Sequence, residues 1–120
     1  MSADYEFELP LGPSVNGLRF VARGRLVTSA KGREYYKEIQ RVINVLGLHS
    51  ENIERPVTIH LTICPRTRAK FDVSNYLKAF EDAIVKAGFL EDDHWIEYNG
   101  IKKGPVVKGG LLKVKVFLGE

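Results

Sequence analysis

The sequence has only one cysteine, one methionine and one tryptophan in 120 residues. A single cysteine, Cys64, excludes a disulfide within the chain, so we expect a protein of a reducing compartment, the cytoplasm. No stretch approaches the ~20 apolar residues that cross a bilayer, and the N-terminal MSADYEFELPLGP carries acids rather than a signal-peptide core. His60 has no second His or Cys at a metal-ligand spacing, which excludes a zinc site. We expect no contact with a membrane.

Charge of neither sign dominates. Lys and Arg total 18 against 15 acids, a net charge of +3. The acids gather around residues 81–97, however, where Lys86 is the one Lys or Arg, and the other cations lie elsewhere. This asymmetry suits a polyanionic partner and an acidic metal site set into a basic face, although an ordinary charged surface explains it as well.

The apolar pattern predicts one domain over residues 1–120, of the α+β class. We expect a mixed β-sheet with an N-terminal hairpin, packed against two main helices. Alternating apolar residues predict strands at 5–9, 57–64 and 111–118, and a further strand that includes Ile96 and Tyr98. The stretch LRFVARGRLVTS, residues 18–29, predicts the hairpin.

Two segments have the spacing of amphipathic helices. The first begins after the N-cap Ser29, covers about residues 30–46 and ends at Gly47. Its apolar positions are Tyr36, Ile39, Ile43 and Leu46. The second covers about residues 74–87 and ends before Gly88; its apolar positions are Tyr76, Leu77, Phe80, Ala83, Ile84 and Ala87.

The outer face of the second helix offers two ion pairs. Asp82 followed by Lys86 is the favourable order for a pair four residues apart, whereas Lys78 before Asp82 is the weaker order. We therefore expect Lys86 to pair with Asp82. Lys78 would then be free for another task.

The segment from Pro65 to Trp95 concentrates the residues that carry chemistry. It opens with the cations Arg66, Arg68 and Lys70, and continues through Asp72, Ser74 and Asn75 into the second helix. Beyond Gly88 stand Glu91, Asp92 and Asp93. If the fold brought the two acidic groups together, their oxygens would suit a divalent cation that acts on a phosphodiester.

Basic residues outside this segment carry two interpretations. We expect Lys102, Lys103 and Lys108 in a flexible loop over residues 101–110, suited to following a phosphate backbone. Arg19, Arg23 and Arg25 on the hairpin favour a charged edge that resists strand pairing, and a nucleic-acid contact remains open. Asn16 lies between Pro13 and Gly17, a spacing typical of an ordinary turn.

Three blocks then carry a resemblance to a known family. LPLGPSVN, DVSNYLKAFEDAIVKAGFLEDD and GPVVKGGLLKVKV occur in this order over nearly the whole chain. Together they combine Asp-x-x-Asn-x-x-Lys, then Asp-Ala and Lys-Ala-Gly-Phe, then an acid pair, then Lys-Gly-Gly. In these features, and in length, the sequence resembles the RusA family of Holliday junction resolvases.

The resemblance implies a homodimeric endonuclease that uses Mg²⁺, with Mn²⁺ as the alternative, to nick paired strands of a four-way DNA junction. The family's catalytic positions fall on Asp72, Lys78 and Asp93. We expect the metal to be bound by Asp72 and Asp93, with Asp92 and Ser74 as further ligands, and Lys78 to stabilise the transition state. The expected DNA contacts are Asn16, Arg66, Arg68, Lys70, Asn75, Lys102, Lys103 and Lys108.

One position departs from the family pattern. The family often has Asp-x-Asp-Asn where this chain has Asp72-Val73-Ser74-Asn75, and a hydroxyl carries no charge for a cation. Ser74 can coordinate directly or through water, a neighbour such as Asp92, Glu91 or Asn75 can complete the shell, or the chain binds junctions without cutting them. We favour retained activity.

A third class is an RNA-binding α+β module. Such a module would present aromatic side chains on a sheet face for base stacking. Tyr5, Phe7, Trp95 and Tyr98 look like core or strand residues instead.

Overall fold

The computed structural model describes residues 2–120. In chain order the elements are β1 Tyr5–Leu9, α1 Val15–Leu18, β2 Arg19–Ala22, β3 Arg25–Thr28, α2 Ala30–Val45, β4 Val57–Cys64, α3 Ser74–Lys86, a 3₁₀ turn Asp93–Trp95, β5 Ile96–Lys103 and β6 Leu111–Leu118. No helix among these residues is long and apolar enough to cross a membrane.

The main sheet has four strands in the order β1-β6-β4-β5. β6 pairs antiparallel with both β1 and β4, whereas β5 pairs parallel with β4 at the other edge. Alternation along β4 buries Val57, Ile59, Leu61 and Ile63, as the period of a half-buried strand requires. The predicted α+β class with a mixed sheet is confirmed.

Both main helices bury one stripe against this sheet. Ile39 and Ile43 of α2, and Phe80 and Ile84 of α3, belong with the strand residues to one core cluster. The inward stripe of α2 was predicted partly wrongly: it begins at Tyr35, four residues before Ile39, and Tyr36 is only half-buried. Leu46 caps the helix and is 45% exposed, because it lies past the last helical residue.

The hairpin β2–β3 is a separate two-stranded sheet. The start of α2 fixes its base, because the Ser29 backbone N–H donates to the Leu18 carbonyl at 2.8 Å. The Ser29 hydroxyl accepts from the Gly32 N–H at 3.0 Å, so the predicted N-cap is confirmed. The stretch before the hairpin is not a simple turn. It forms α1, whose exposed Asn16 stands near the fully buried Leu18.

The predicted flexible loop over residues 101–110 is partly wrong. Lys102 and Lys103 lie in β5, paired with Thr62 and Ile63 of β4. Because β4 is eight residues long, it offers β5 a backbone partner along its whole length. Of the three lysines, only Lys108 lies in the turn before β6.

Candidate active site

Asp82 joins three elements on the outer face of α3. Its Oδ2 accepts from the Arg19 guanidinium at 2.8 Å and from the Tyr36 hydroxyl at 3.3 Å. Its Oδ1 lies 3.0 Å from the Lys78 ammonium. Asp82 thereby ties the base of the hairpin and α2 to Lys78, which the sequence resemblance predicts to be catalytic.

The predicted pairing of Asp82 with Lys86 is wrong. Asp82 pairs with Lys78 and Arg19 instead, and the Lys86 ammonium lies over the Tyr36 ring, 5.2 Å from its centroid. The i, i+4 preference is worth only ~0.3–0.5 kcal/mol, so a second cation arriving from the hairpin easily decides the arrangement. Lys78 is therefore held in place rather than free.

Tyr36 keeps its proton at neutral pH. Burial, and then the charge of Asp82, raise the pKa of its hydroxyl to about 12. It is thus a permanent donor to Asp82. The Lys86 ammonium lies over the Tyr36 ring. Tyr36 of α2 therefore contacts α3 twice, through its hydroxyl to Asp82 and through its ring to Lys86.

Glu81 is a carboxylate of α3 whose pKa is raised above its usual value. It is half-buried and accepts from the Tyr98 hydroxyl of β5 at 2.7 Å. Burial raises the pKa of Glu81, the hydrogen bond from Tyr98 opposes that rise, and the charge of Asp93 adds to it.

Asp92 and Asp93 line an open pocket of about 270 Å³ together with Asp82, Arg19 and Lys86. The remaining wall is formed by Thr28, Tyr36 and Val85. Asp92 is itself engaged, because its Oδ2 lies 2.6 Å from Nδ1 of His94, and this hydrogen bond holds the pKa of Asp92 below its usual range. The pocket therefore gathers three carboxylates with two cations beside them.

Asp72 lies in a second hollow, at the beginning of α3. This hollow is lined by Lys70, Phe71, Asp72, Asn75 and Lys103. The Asn75 N–H donates to the Asp72 carbonyl at 3.0 Å, which begins the helix, and the Lys103 ammonium lies 4.8 Å from the centre of the Phe71 ring. Asp72 and Ser74 both face solvent.

The chain does not place Asp72 and Asp93 in one pocket. Within residues 2–120, no group of three or more His, Cys, Asp or Glu side chains is close enough to hold a metal ion. The hypothesis that the fold gathers the two acidic groups therefore finds no ready-made metal centre in a single chain. Two smaller groups are present instead. Asp72 lies with Lys70 and Lys103 at the beginning of α3, and the three carboxylates of the other pocket lie with Arg19.

Seven of the eight predicted DNA contacts are exposed, and Asn75 is half-buried. Arg68, Lys70, Lys102, Lys103 and Lys108 are exposed. The Arg66 guanidinium instead donates to the carbonyls of Leu11 and Gly12, and so joins the end of β4 to the chain after β1. Arg66 has a structural contact that its position in a cationic run did not indicate.

Sequence reasoning missed Arg19, Tyr36, Glu81, Asp82 and Tyr98 as members of this region. The spacing of Lys78 and Asp82 is a visible signal, although lysine before aspartate is the weaker order for an i, i+4 pair. Nothing in the sequence pairs Arg19 with Asp82 across 63 positions. That contact depends on where the hairpin meets α3.

Comparison with known proteins identifies the family. The family model described as endodeoxyribonuclease RusA matches residues 10–116. The chain belongs to the RusA family. It is 35% identical over 112 residues to the crossover junction endodeoxyribonuclease RusA of Escherichia coli (strain K12), covering 93% of this chain and 92% of that protein.

A phage protein of the same name is similarly related. The chain is 32% identical over 113 residues to the crossover junction endodeoxyribonuclease of Enterobacteria phage HK97, covering 94% of this chain and 93% of that protein. The RusA match begins after β1 and ends within β6, so it contains α3, both acidic groups and the hairpin. Family membership makes the chain an endodeoxyribonuclease, an enzyme that hydrolyses phosphodiester bonds within DNA.

Proposed function

We propose that this protein resolves four-way DNA junctions by paired, metal-dependent nicks. The observation that carries the proposal is the RusA match over residues 10–116, a range that includes Asn75 and Lys78 on α3 and Asp72 and Asp93 on either side of it. The relatives described above are named crossover junction endodeoxyribonucleases. The exposed cations around Asp72 support a phosphodiester substrate.

The proposed metal is Mg²⁺, with Mn²⁺ as the alternative. Asp72, Asp92 and Asp93 carry carboxylate oxygens and Ser74 a hydroxyl oxygen, the donor type that a hard divalent cation prefers. In one chain these donors lie in two places, Asp72 and Ser74 at the beginning of α3 and Asp92 and Asp93 in the pocket of Asp82. Asp72 and Asp93 are the proposed principal ligands. Ser74 and Asp92 would complete the shell. The Asp92 carboxylate would then contact both the ion and His94, whose Nδ1 lies 2.6 Å from Oδ2. Such an ion, held by these residues, would supply activation of water and stabilisation of charge on the leaving oxygen.

Lys78 is the proposed electrostatic catalyst. Asp82 holds its ammonium at 3.0 Å, which uses one of three N–H donors. The other two donors can face a phosphoryl oxygen as its charge grows in the transition state. A lysine fixed in this way loses less conformational freedom when the substrate arrives.

The proposed DNA contacts divide by distance from the cut. Lys70, Asn75 and Lys103 share the hollow of Asp72 and would hold the phosphates that flank the cleaved bond. Arg68, Lys102, Lys108 and Asn16 would bind phosphates farther along the arms. Arg66 would act mainly by fixing the segment that carries its neighbours.

A homodimer follows from the symmetry of the substrate. A four-way junction has two-fold symmetry, so a C₂ dimer would bring one site to each of two opposed strands. We propose that the protein acts in the cytoplasm, a reducing compartment in which the free, buried Cys64 needs no disulfide partner.

Cleavage of a labelled four-way junction tests the function. Nicks should appear with Mg²⁺ and vanish with a chelator, and Asp72→Asn and Asp93→Asn should each abolish cutting. Binding of the uncut junction in chelator should survive in both variants, because the cationic contacts are intact. Glu54→Gln, which removes an exposed carboxylate from a loop, is the matched control and should cut normally.

The same assay tests the alternative that the serine at position 74 leaves open, a junction-binding protein without chemistry. Tight junction binding by the wild type, with no nicks in either metal, would favour it. Normal cutting by Asp93→Asn would instead show that the metal ligands are wrongly assigned.

A further inference from the structure

The hairpin β2–β3 exposes an apolar pair. Val21 is 72% exposed and Leu26 63% exposed, and the two residues lie directly opposite each other in the β2–β3 register. Opposite residues of an antiparallel pair stand on the same face of the hairpin, so the two side chains form one patch. Single exposed apolar residues are ordinary, but a paired patch on a projecting hairpin is unfavourable in water.

The segment of the chain that carries this patch has no acidic residue. Residues 10–33 contain five cations, Arg19, Arg23, Arg25, Lys31 and Arg33, and no Asp or Glu. Arg23 and Gly24 form the tip, with φ of 53° and 74°, the backbone of a tight hairpin turn. Arg23 and Arg25 are exposed beside the patch. A second copy of this hairpin would be repelled, whereas a polyanion with accessible apolar surfaces would be attracted.

The patch faces the same way as the wall of the acidic pocket. The two-residue period of a strand places Arg19 and Thr28 on the hairpin face that carries Val21 and Leu26. Arg19 and Thr28 line the pocket of Asp82, Asp92 and Asp93. The contact of Arg19 with Asp82 at 2.8 Å orients the hairpin, so the apolar pair continues that wall outward.

We propose that the β2–β3 hairpin is a DNA-contacting arm that recognises the branch point of the junction. Val21 and Leu26 pack against bases whose stacking is interrupted there, and Arg23 and Arg25 bind the adjoining phosphates. Apolar side chains are used in this way by proteins that open or kink base steps. The inference rests on the proposed function and names the part of the substrate that confers selectivity: the branch point, rather than the duplex arms.

Junction and duplex binding by a double variant test the arm. Val21→Ser with Leu26→Ser removes the patch and keeps the arginines. Affinities are measured in chelator for a four-way junction and for a linear duplex of the same arm sequence. The junction-over-duplex ratio should fall roughly tenfold, as expected when apolar contacts with bases are lost. Val45→Ser, which removes an 87% exposed apolar side chain from the end of α2, should leave the ratio unchanged.

A fluorescent base gives a direct readout. 2-Aminopurine at the branch point should brighten when the wild type binds, and brighten less with the double variant. An unchanged ratio with an unchanged fluorescence response overturns the proposal. So does a double variant that keeps its selectivity but sediments at a lower mass, because the patch would then belong to a contact with a second copy.

Failure of the function and failure of the arm are distinguishable. A wild type that neither prefers nor cuts junctions contradicts the proposed function and, with it, the arm. A selective wild type with an equally selective double variant contradicts the arm alone. If the double variant misfolds, Val21→Cys replaces it: Cys64 is fully buried, so a polarity-sensitive dye labels only residue 21. Its emission should shift with the junction and not with the duplex, and equal shifts overturn the proposal.

Discussion

At the scale of single residues, Ser74 is the sharpest test of the metal site. It is the exposed first residue of α3, and Ser74→Asp would add a charged oxygen ligand there. We expect faster cutting and a lower Mg²⁺ requirement. The new acid would also favour the helix N-terminus by ~0.3–1 kcal/mol. Initial rates measured across a Mg²⁺ titration check the cutting rate and the Mg²⁺ requirement.

Ser50→Asp is the control for charge alone. Ser50 is exposed in the turn after α2, so its substitution should change neither the rate nor the Mg²⁺ requirement. If Ser74→Asp cuts more slowly than the wild type, Ser74 is not a weakened ligand position and the metal must be bound elsewhere.

The Glu81–Tyr98 contact predicts a stability that depends on pH. The pKa of Glu81 is raised by burial, so its charged form is the destabilising one and its contribution worsens as pH rises through that pKa. Tyr98→Phe removes the 2.7 Å hydrogen bond that opposes the rise. The variant should lose about 1–2 kcal/mol at pH 7 and less at pH 4.5, where more of Glu81 is protonated. Urea unfolding at both pH values measures the difference.

Tyr35→Phe is the matched control. The Tyr35 hydroxyl donates to the Pro10 carbonyl at 3.0 Å, an acceptor that does not titrate. Its loss should cost a similar free energy of unfolding, and equally at both pH values. A Tyr98→Phe penalty that is equally flat with pH would mean that Glu81 is not the group responsible.

At the scale of elements, two helices end in the same motif with different surroundings. Gly47 and Gly88 both have positive φ, 74° and 89°, and in each case the next residue donates back to the helix: Leu48 to Ile43, and Phe89 to Ile84. A Cβ on Gly47 would meet open space, whereas one on Gly88 would lie 2.1 Å from the His49 carbonyl oxygen. The loop after α2 therefore packs directly on the end of α3.

These surroundings predict unequal costs for the same substitution. Gly47→Ala should destabilise by about 1 kcal/mol, the cost of a left-handed backbone alone. Gly88→Ala should cost about 3 kcal/mol or more, because the backbone of residue 49 must also move. Thermal or urea unfolding of the two variants provides the comparison. Equal losses of unfolding free energy would show that the backbone around His49 moves away at no measurable cost.

Elements were predictable from the sequence where one local signal decided them. Alternation set β4, and the caps Ser29 and Gly47 set α2. Local signals failed where a distant contact decided the outcome: α1 forms around the buried Leu18, and Lys102 and Lys103 extend β5 because β4 lies beside them. For the candidate site, the family pattern supplied Asp72, Lys78 and Asp93. The partners of Asp82 depend on the meeting of hairpin and helices, which no local pattern encodes.

At the scale of the whole molecule, the proposed dimer predicts how two nicks are related in time. A cruciform in a supercoiled plasmid is reabsorbed once a single nick releases the supercoiling, so a linear product requires the second nick within the same complex. If two 13.5 kDa chains act as a C₂ pair, linear plasmid should form without a preceding build-up of nicked circles. Sedimentation without DNA should give about twice the mass of the chain.

A chain that acts alone would behave differently in the same assay. Nicked circles would accumulate first and remain, because the junction disappears before a second molecule arrives. Doubling the protein concentration separates the two cases: it should leave the ratio of linear to nicked product unchanged for a stable dimer, and raise it for independent monomers. A monomer by sedimentation, together with a ratio that climbs with concentration, would contradict the dimer while leaving the nuclease assignment intact, because each chain carries its own Asp72, Lys78 and Asp93.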